Sequence, residues 1–149
     1  PLSLGLALIN ISAFAHLLIM SAILYAAAPV LFDAKLPEHP GTYFSGLVVL
    51  IAVSLGIASV IGLAVKDTAN TSMVSILLFL PSTMLSGIMF PKEMLPKAFV
   101  IAGKFFPASW GYEWMTAPGP SLQTFCPLLG IFLIALMVCG VLLKRIRTR

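Results

Sequence analysis

The chain has 149 residues, 60% of them hydrophobic and only 9% charged, with a mean hydropathy of +1.07 and a formal net charge of +4. Soluble domains carry about 25% charged residues, so this composition excludes an ordinary soluble enzyme or binding module and marks an integral membrane chain. The positive balance bears on orientation, because Lys and Arg collect on the cytoplasmic side of spanning segments, and it does not argue for nucleic acid as a partner.

Four apolar stretches reach the ~20 residues that a helix needs to cross the hydrocarbon layer. Helical spans are predicted at about residues 7–30, 43–65, 72–90 and 125–143, with ends that length and tilt leave loose. A closed barrel would alternate lipid-facing and lumen-facing residues, and the last stretch shows no alternation. The sequence begins at Pro1 without a basic n-region and small-residue cleavage site, so further sequence, including an earlier span, is expected upstream.

The first span carries Asn10, Ser12 and His16. Ser12 and His16 share a helix face at i, i+4. Two readings stand: hydrogen-bonding glue between helices, or a polar lining for a substrate path. The following loop holds Asp33, Lys35, Glu38, Pro37 and Pro40, a set that cannot sit unpaired in lipid. On the second span, Ser54, Ala58 and Gly62 form a face of small residues suited to close helix approach. The span ends at Lys66 and Asp67, and the short connection makes it an antiparallel neighbour of the third.

The third span contains Pro81, which removes one backbone hydrogen bond and favours a kink. Ser82, Thr83 and Ser86 are close enough to re-satisfy the freed carbonyl. Ser75, Ser82 and Ser86 fall on one face, read as helix packing or as part of a substrate path. Residues 91–116 then form neither a polar loop nor a span. Pro91, Pro96 and Pro107 punctuate them, and the apolar core at residues 98–106 is too short to cross, as in a re-entrant element. Trp110, Tyr112 and Trp114 suit the membrane-water boundary. Glu113, between those rings, is either a solvated interface charge or a gate contact with Lys97 or Lys104.

Cys126 and Cys139 in the last span match no zinc or redox spacing and read as packing residues. Lys144, Arg145, Arg147 and Arg149 follow and place the C-terminus in the cytoplasm by the positive-inside rule. The Lys66 connection is then cytoplasmic, while the Asp33 loop and the hairpin face outward, against the opposing pull of Lys35, Lys92, Lys97 and Lys104. The predicted fold is all-α: a polytopic membrane helix bundle of four transmembrane helices with a short outer re-entrant helical hairpin before the last.

No phosphate-cradling Gly-rich loop is present, and the carboxylates Asp33, Glu38, Asp67, Glu93 and Glu113 all lie in loops or at the interface. No catalytic residue, metal ligand or cofactor of this chain's own is therefore assigned.

Pro81, then Leu85, Ser86 and Gly87, then Phe90 and Pro91, then Met94, Leu95 and Pro96, then Phe106, Pro107, Ala108, Ser109 and Trp110 form an ordered series. It resembles the end of the fifth helix, the outer hairpin and the approach to the last helix in permease subunits of type 2 ABC exporters. The resemblance covers essentially the whole chain as the C-terminal two-thirds of such a permease. It implies a cell-membrane subunit that dimerises with a second permease half, identical or homologous. A separate ABC ATPase would carry ATP and Mg, and export would proceed by alternating access along the dimer interface. Pro81 and Gly87 would then supply a kinked, closely packed span, with the hairpin as an outward cap. The family's first two helices and its cytoplasmic coupling helix are expected upstream of Pro1. The alternative is a non-transport assembly or anchoring subunit in which the hairpin fills a lateral gap. Neither reading identifies the cargo.

Overall fold

The computed structural model describes residues 2–65, 67–119 and 121–147. Lys66 and Arg149, which enter the topological reading, lie outside the described residues, as do Pro1, Pro120 and Thr148. Among the described residues there is no strand, and four helices are long and apolar enough to cross a membrane. These are α1 (Leu2–Phe32), α2 (Pro40–Ala64), α3 (Thr68–Leu85) and α6 (Leu122–Arg147). Between α3 and α6 come a single 3₁₀ turn (Lys92–Met94), α4 (Lys97–Gly103) and α5 (Pro107–Thr116).

Local chemistry sets the helix ends. Asp33 has φ of 52° and the Ala34 amide donates to the Ala28 carbonyl at 3.5 Å, a stop for α1 in which a short polar residue takes the left-handed position. Pro40 opens α2 at a position where its missing N–H is not needed. The Ser121 hydroxyl accepts from the Gln123 amide at 3.3 Å and so caps the start of α6. Pro29 and Pro127 also lie inside helices, in α1 and α6.

The third helix ends at Leu85, short of the expected residue 90. Gly87 has φ of +93°, which a side chain would strain. Ser86 beside it is fully buried, with its hydroxyl donating to the Thr83 carbonyl at 2.8 Å and accepting from the Ile88 amide at 3.3 Å. The hydroxyls around Pro81 do not reach the carbonyl that this proline frees, which is four residues back at Leu77. Thr83 instead donates to the carbonyls of Phe79 and Leu80, both at 3.0 Å.

The centre of the bundle is α2, which packs mainly on α6 and α5, with α1 on another side. The core joins Val53, Trp114 and Leu128, flanked by Val49, Ile57, Phe125 and Phe132. Trp114 is 6% exposed and meets Phe125 edge-on at 5.5 Å. It is a core residue and not the interface anchor expected from its neighbours, because α5 turns it onto α2 and α6. The α5 contacts on α2, from Gly46 to Val53, lie about 10–20 Å along that helix from its start at 1.5 Å per residue. The hairpin thus packs alongside α2 and does not project beyond its end.

Ser54, Ala58 and Gly62 are exposed, so this face of small residues is not the one that α2 uses within the bundle. Close approach occurs at Gly46 of α2 and Gly111 of α5. Cys139 is buried, as a packing residue should be, whereas Cys126 is exposed because its side of α6 faces away from the bundle.

The tightest point joins α4 to the end of α3. A Cβ on Gly103 would stand 2.6 Å from the Leu85 carbonyl oxygen and 3.3 Å from its Cβ. Because that obstacle is backbone, Gly103→Ala is expected to cost about 1–3 kcal/mol, read as a lower melting temperature of the detergent-solubilised protein. Gly111→Ala meets only the branch of Leu50, at 2.8–3.1 Å, which can rotate, so its loss should be smaller; equal losses would contradict this packing.

Candidate functional site

The hairpin folds back on the end of α3 through one charged contact. Pro91 and the 3₁₀ turn, closed by the Met94 amide on the Pro91 carbonyl at 3.0 Å, bring Lys92 over Gly87. A Cβ on Gly87 would lie 3.2 Å from Lys92 Cε, 3.3 Å from Lys92 Cγ and 3.4 Å from Tyr112 Cε1. The lysine stem therefore crosses a place where the backbone offers no side chain, and its Nζ pairs with Glu113 Oε1 on α5. The partner of Glu113 is Lys92, not Lys97 or Lys104. Lys97 opens α4 and is exposed, while the Lys104 carbonyl accepts from Trp110 Nε1 at 2.7 Å and closes the turn into α5. Lys92 and Glu113 line a cavity of about 290 Å³ with Gly87, Pro91, Glu93 and Tyr112.

The two paired side chains remain 28% and 39% accessible. Water screens such a pair to about 0–1 kcal/mol, so the contact fixes register more than it stabilises. A second link is the Ser109 hydroxyl, which donates to the Leu85 carbonyl at 3.4 Å.

Pro96 and Pro107 mark the borders of the hairpin arms. Leu95 and Phe106 before them are extended, as the proline ring requires, and Pro107 stands at the first turn of α5. Met89, Phe90, Met94, Phe99, Ile101 and Phe105 are all exposed. So many exposed apolar groups on short turns match a lipid environment.

The residues considered for a substrate path are not brought together. Asn10 Nδ2 donates to the Leu6 carbonyl and to Ser59 Oγ, both at 2.9 Å, and Ser59 Oγ in turn lies 3.1 Å from Asn10 Oδ1. This pair ties α1 to α2 beside an apolar groove of about 450 Å³ between α1, α2 and α6. Ser12 and His16 are exposed on α1 and do not line that groove. Ser75 is exposed and donates to the Thr71 carbonyl at 2.8 Å, Ser82 is half-buried, and Ser86 serves the turn. The role of Ser59 was not read from the sequence, although an antiparallel pair could have shown it: residues 10 and 59 each lie roughly 30 Å along their helices from the shared loop.

Among the described residues, no group of three or more His, Cys, Asp or Glu side chains could hold a metal ion. Four long apolar helices, with short helices packed between the third and the last, define a multi-pass α-helical membrane protein. The family model of the ABC-2 type transporter matches residues 5–118, and the chain belongs to that family, as a permease component of a transporter. No curated protein and no solved structure matches it.

Two double-mutant cycles test the site. Lys92→Ala with Glu113→Ala should give a coupling below about 1 kcal/mol in unfolding, and the exchanged pair Lys92→Glu with Glu113→Lys should recover most of it. Asn10→Leu with Ser59→Ala should couple by about 0.6 kcal/mol, the average for polar contacts between membrane helices. Coupling well above about 1 kcal/mol between Lys92 and Glu113, or zero coupling between Asn10 and Ser59, would contradict the contact described there.

Proposed function

We propose that the chain is part of an exporter permease that works with a second permease half, identical or homologous, and with a separate ABC ATPase carrying ATP and Mg. The observation that carries this reading is the mounting of α3. The helix has no buried residue, and its end is fixed at the Ser86 and Gly87 turn through Ser109, Gly103 and the Lys92 pair. A span held at one end and little packed along its length suits a hinge motion between two states. Its exposed length, with that of α1, is where a second half would close the path.

The cluster Lys144, Arg145, Arg147 and Arg149 supports a cytoplasmic C-terminus. On that orientation the hairpin and the loop from α1 to α2 face outward. ATP hydrolysis belongs to the partner subunit, and alternating access moves α3 relative to α5.

Purification of the full-length protein from native membranes should recover an ABC ATPase. Absence of any such subunit, together with no ATP-dependent flux, would remove the exporter reading in favour of an anchoring subunit. In that complex, with Cys126→Ala and Cys139→Ala, a reducible bis-thiol crosslink between Lys92→Cys and Glu113→Cys should suppress ATP hydrolysis, with recovery on reduction. Unchanged hydrolysis under the crosslink would show that the start of the hairpin does not move against α5.

A further inference from the structure

At the same end of the bundle, on the other side of Tyr112, lies a cavity of about 450 Å³ formed where α1 ends, α2 begins and α5 ends. Its polar wall is Lys35, Glu38 and His39 from the loop, Tyr43 from α2, and Tyr112 and Thr116 from α5. The neighbouring cavity contains a closed ion pair. Here, by contrast, Lys35, Glu38 and His39 have no side-chain partner among the described residues. One fixed cation and one fixed anion bordered by two phenol rings make a wall of zero net formal charge that still offers both signs.

The surroundings of the cavity have the composition of a membrane boundary. Tyr25, Tyr43 and Phe44 cluster beside it with ring centroids 5.1–5.5 Å apart, a belt of the kind found at headgroup level. Below the loop, the last residues of α1, Val30, Leu31 and Phe32, are 70–83% exposed, an apolar track leading away from the charged pocket into the hydrocarbon.

We infer that this pocket binds the headgroup of a zwitterionic phospholipid. The phosphate lies against Lys35 and His39. The ammonium lies against Glu38, where a charge-assisted hydrogen bond forms, and against the faces of Tyr43 and Tyr112, which attract cations. The acyl chains follow the exposed end of α1. An anionic lipid would leave Glu38 facing like charge, and an uncharged glyceride would leave both charges unpaired. The site needs only a membrane boundary at this end of the bundle, so it stands whether or not the chain belongs to an exporter.

The test is native mass spectrometry of the delipidated full-length protein titrated with phosphatidylethanolamine, phosphatidylglycerol and diacylglycerol of identical chains. Phosphatidylethanolamine should bind best. Lys35→Ala and Glu38→Ala should each weaken it about tenfold, the effect of losing one hydrogen bond to a charged group, while Lys97→Ala should leave it unchanged. Soluble glycerophosphoethanolamine should compete only weakly. Equal binding of either other lipid, or insensitivity to both pocket variants, overturns the inference. Competition by the soluble headgroup as strong as by the lipid reassigns the pocket to a free phosphate ester. Should either truncation lower the melting temperature, Lys35→Gln and Glu38→Gln decide the outcome.

Discussion

The structure depends on how one helix ends. The last carbonyls of a helix have no partner within it, and a buried carbonyl left without one is costly. At the end of α3 the Ser86 hydroxyl takes the Thr83 carbonyl, and the Ser109 hydroxyl takes the Leu85 carbonyl. Gly103 is pressed so closely on that same oxygen that a methyl group would not fit. The hairpin is in this sense the cap of α3. Its first arm must be short to return Ser109 to Leu85, and its second must pack inward to hold that position.

Hydrophobic burial drives little helix association in a bilayer, since lipid tails are as apolar as leucine, so close shape and small residues decide which helices meet. That explains why α2 contacts α5 through Gly46 and Gly111, and why Trp114 can be a core residue while its Nε1 has no hydrogen-bond partner among the described residues. A buried N–H without a partner is costly, and the ring contacts with Phe125 and the core must outweigh it. By the same measure α1 and α3, whose most apolar windows contain no buried residue, are held by few specific contacts.

Hydropathy made the four spans legible in the sequence, and the spacing of Pro91, Pro96 and Pro107 made the hairpin legible, because a proline constrains its own backbone and that of its predecessor wherever it stands. The end of α3 was harder. Residues 86–90 are apolar enough to extend a span, and only the left-handed turn at Gly87 ends it. Trp110, Tyr112 and Trp114 carry the same composition whether they lie in an interface or a core, and the rotation of α5 decides between them. The partner of Glu113 was hidden for a related reason. Lys97 and Lys104 are nearer in sequence, but the 3₁₀ turn carries Lys92 back across 21 residues to meet it. Sequence spacing orders side chains within one helix, and does not say which face a reversed segment presents.

The weakness of the Lys92 and Glu113 contact follows from where it lies. On the proposed mechanism, α5 moves with α2 and α6, to which its core residues bind it, so any tilt of α3 must be taken up between the Gly87 turn and Tyr112. A buried, fully desolvated ion pair at that point would lose several kcal/mol on opening, more than a transporter with states separated by a few kcal/mol can give up in each cycle. A half-exposed pair holds the register and releases it to water at little cost. The turn beneath it cannot accept a side chain, so on that mechanism the joint combines a rigid backbone with a loose electrostatic clasp, and Tyr112 lies between the clasp and the neighbouring cavity.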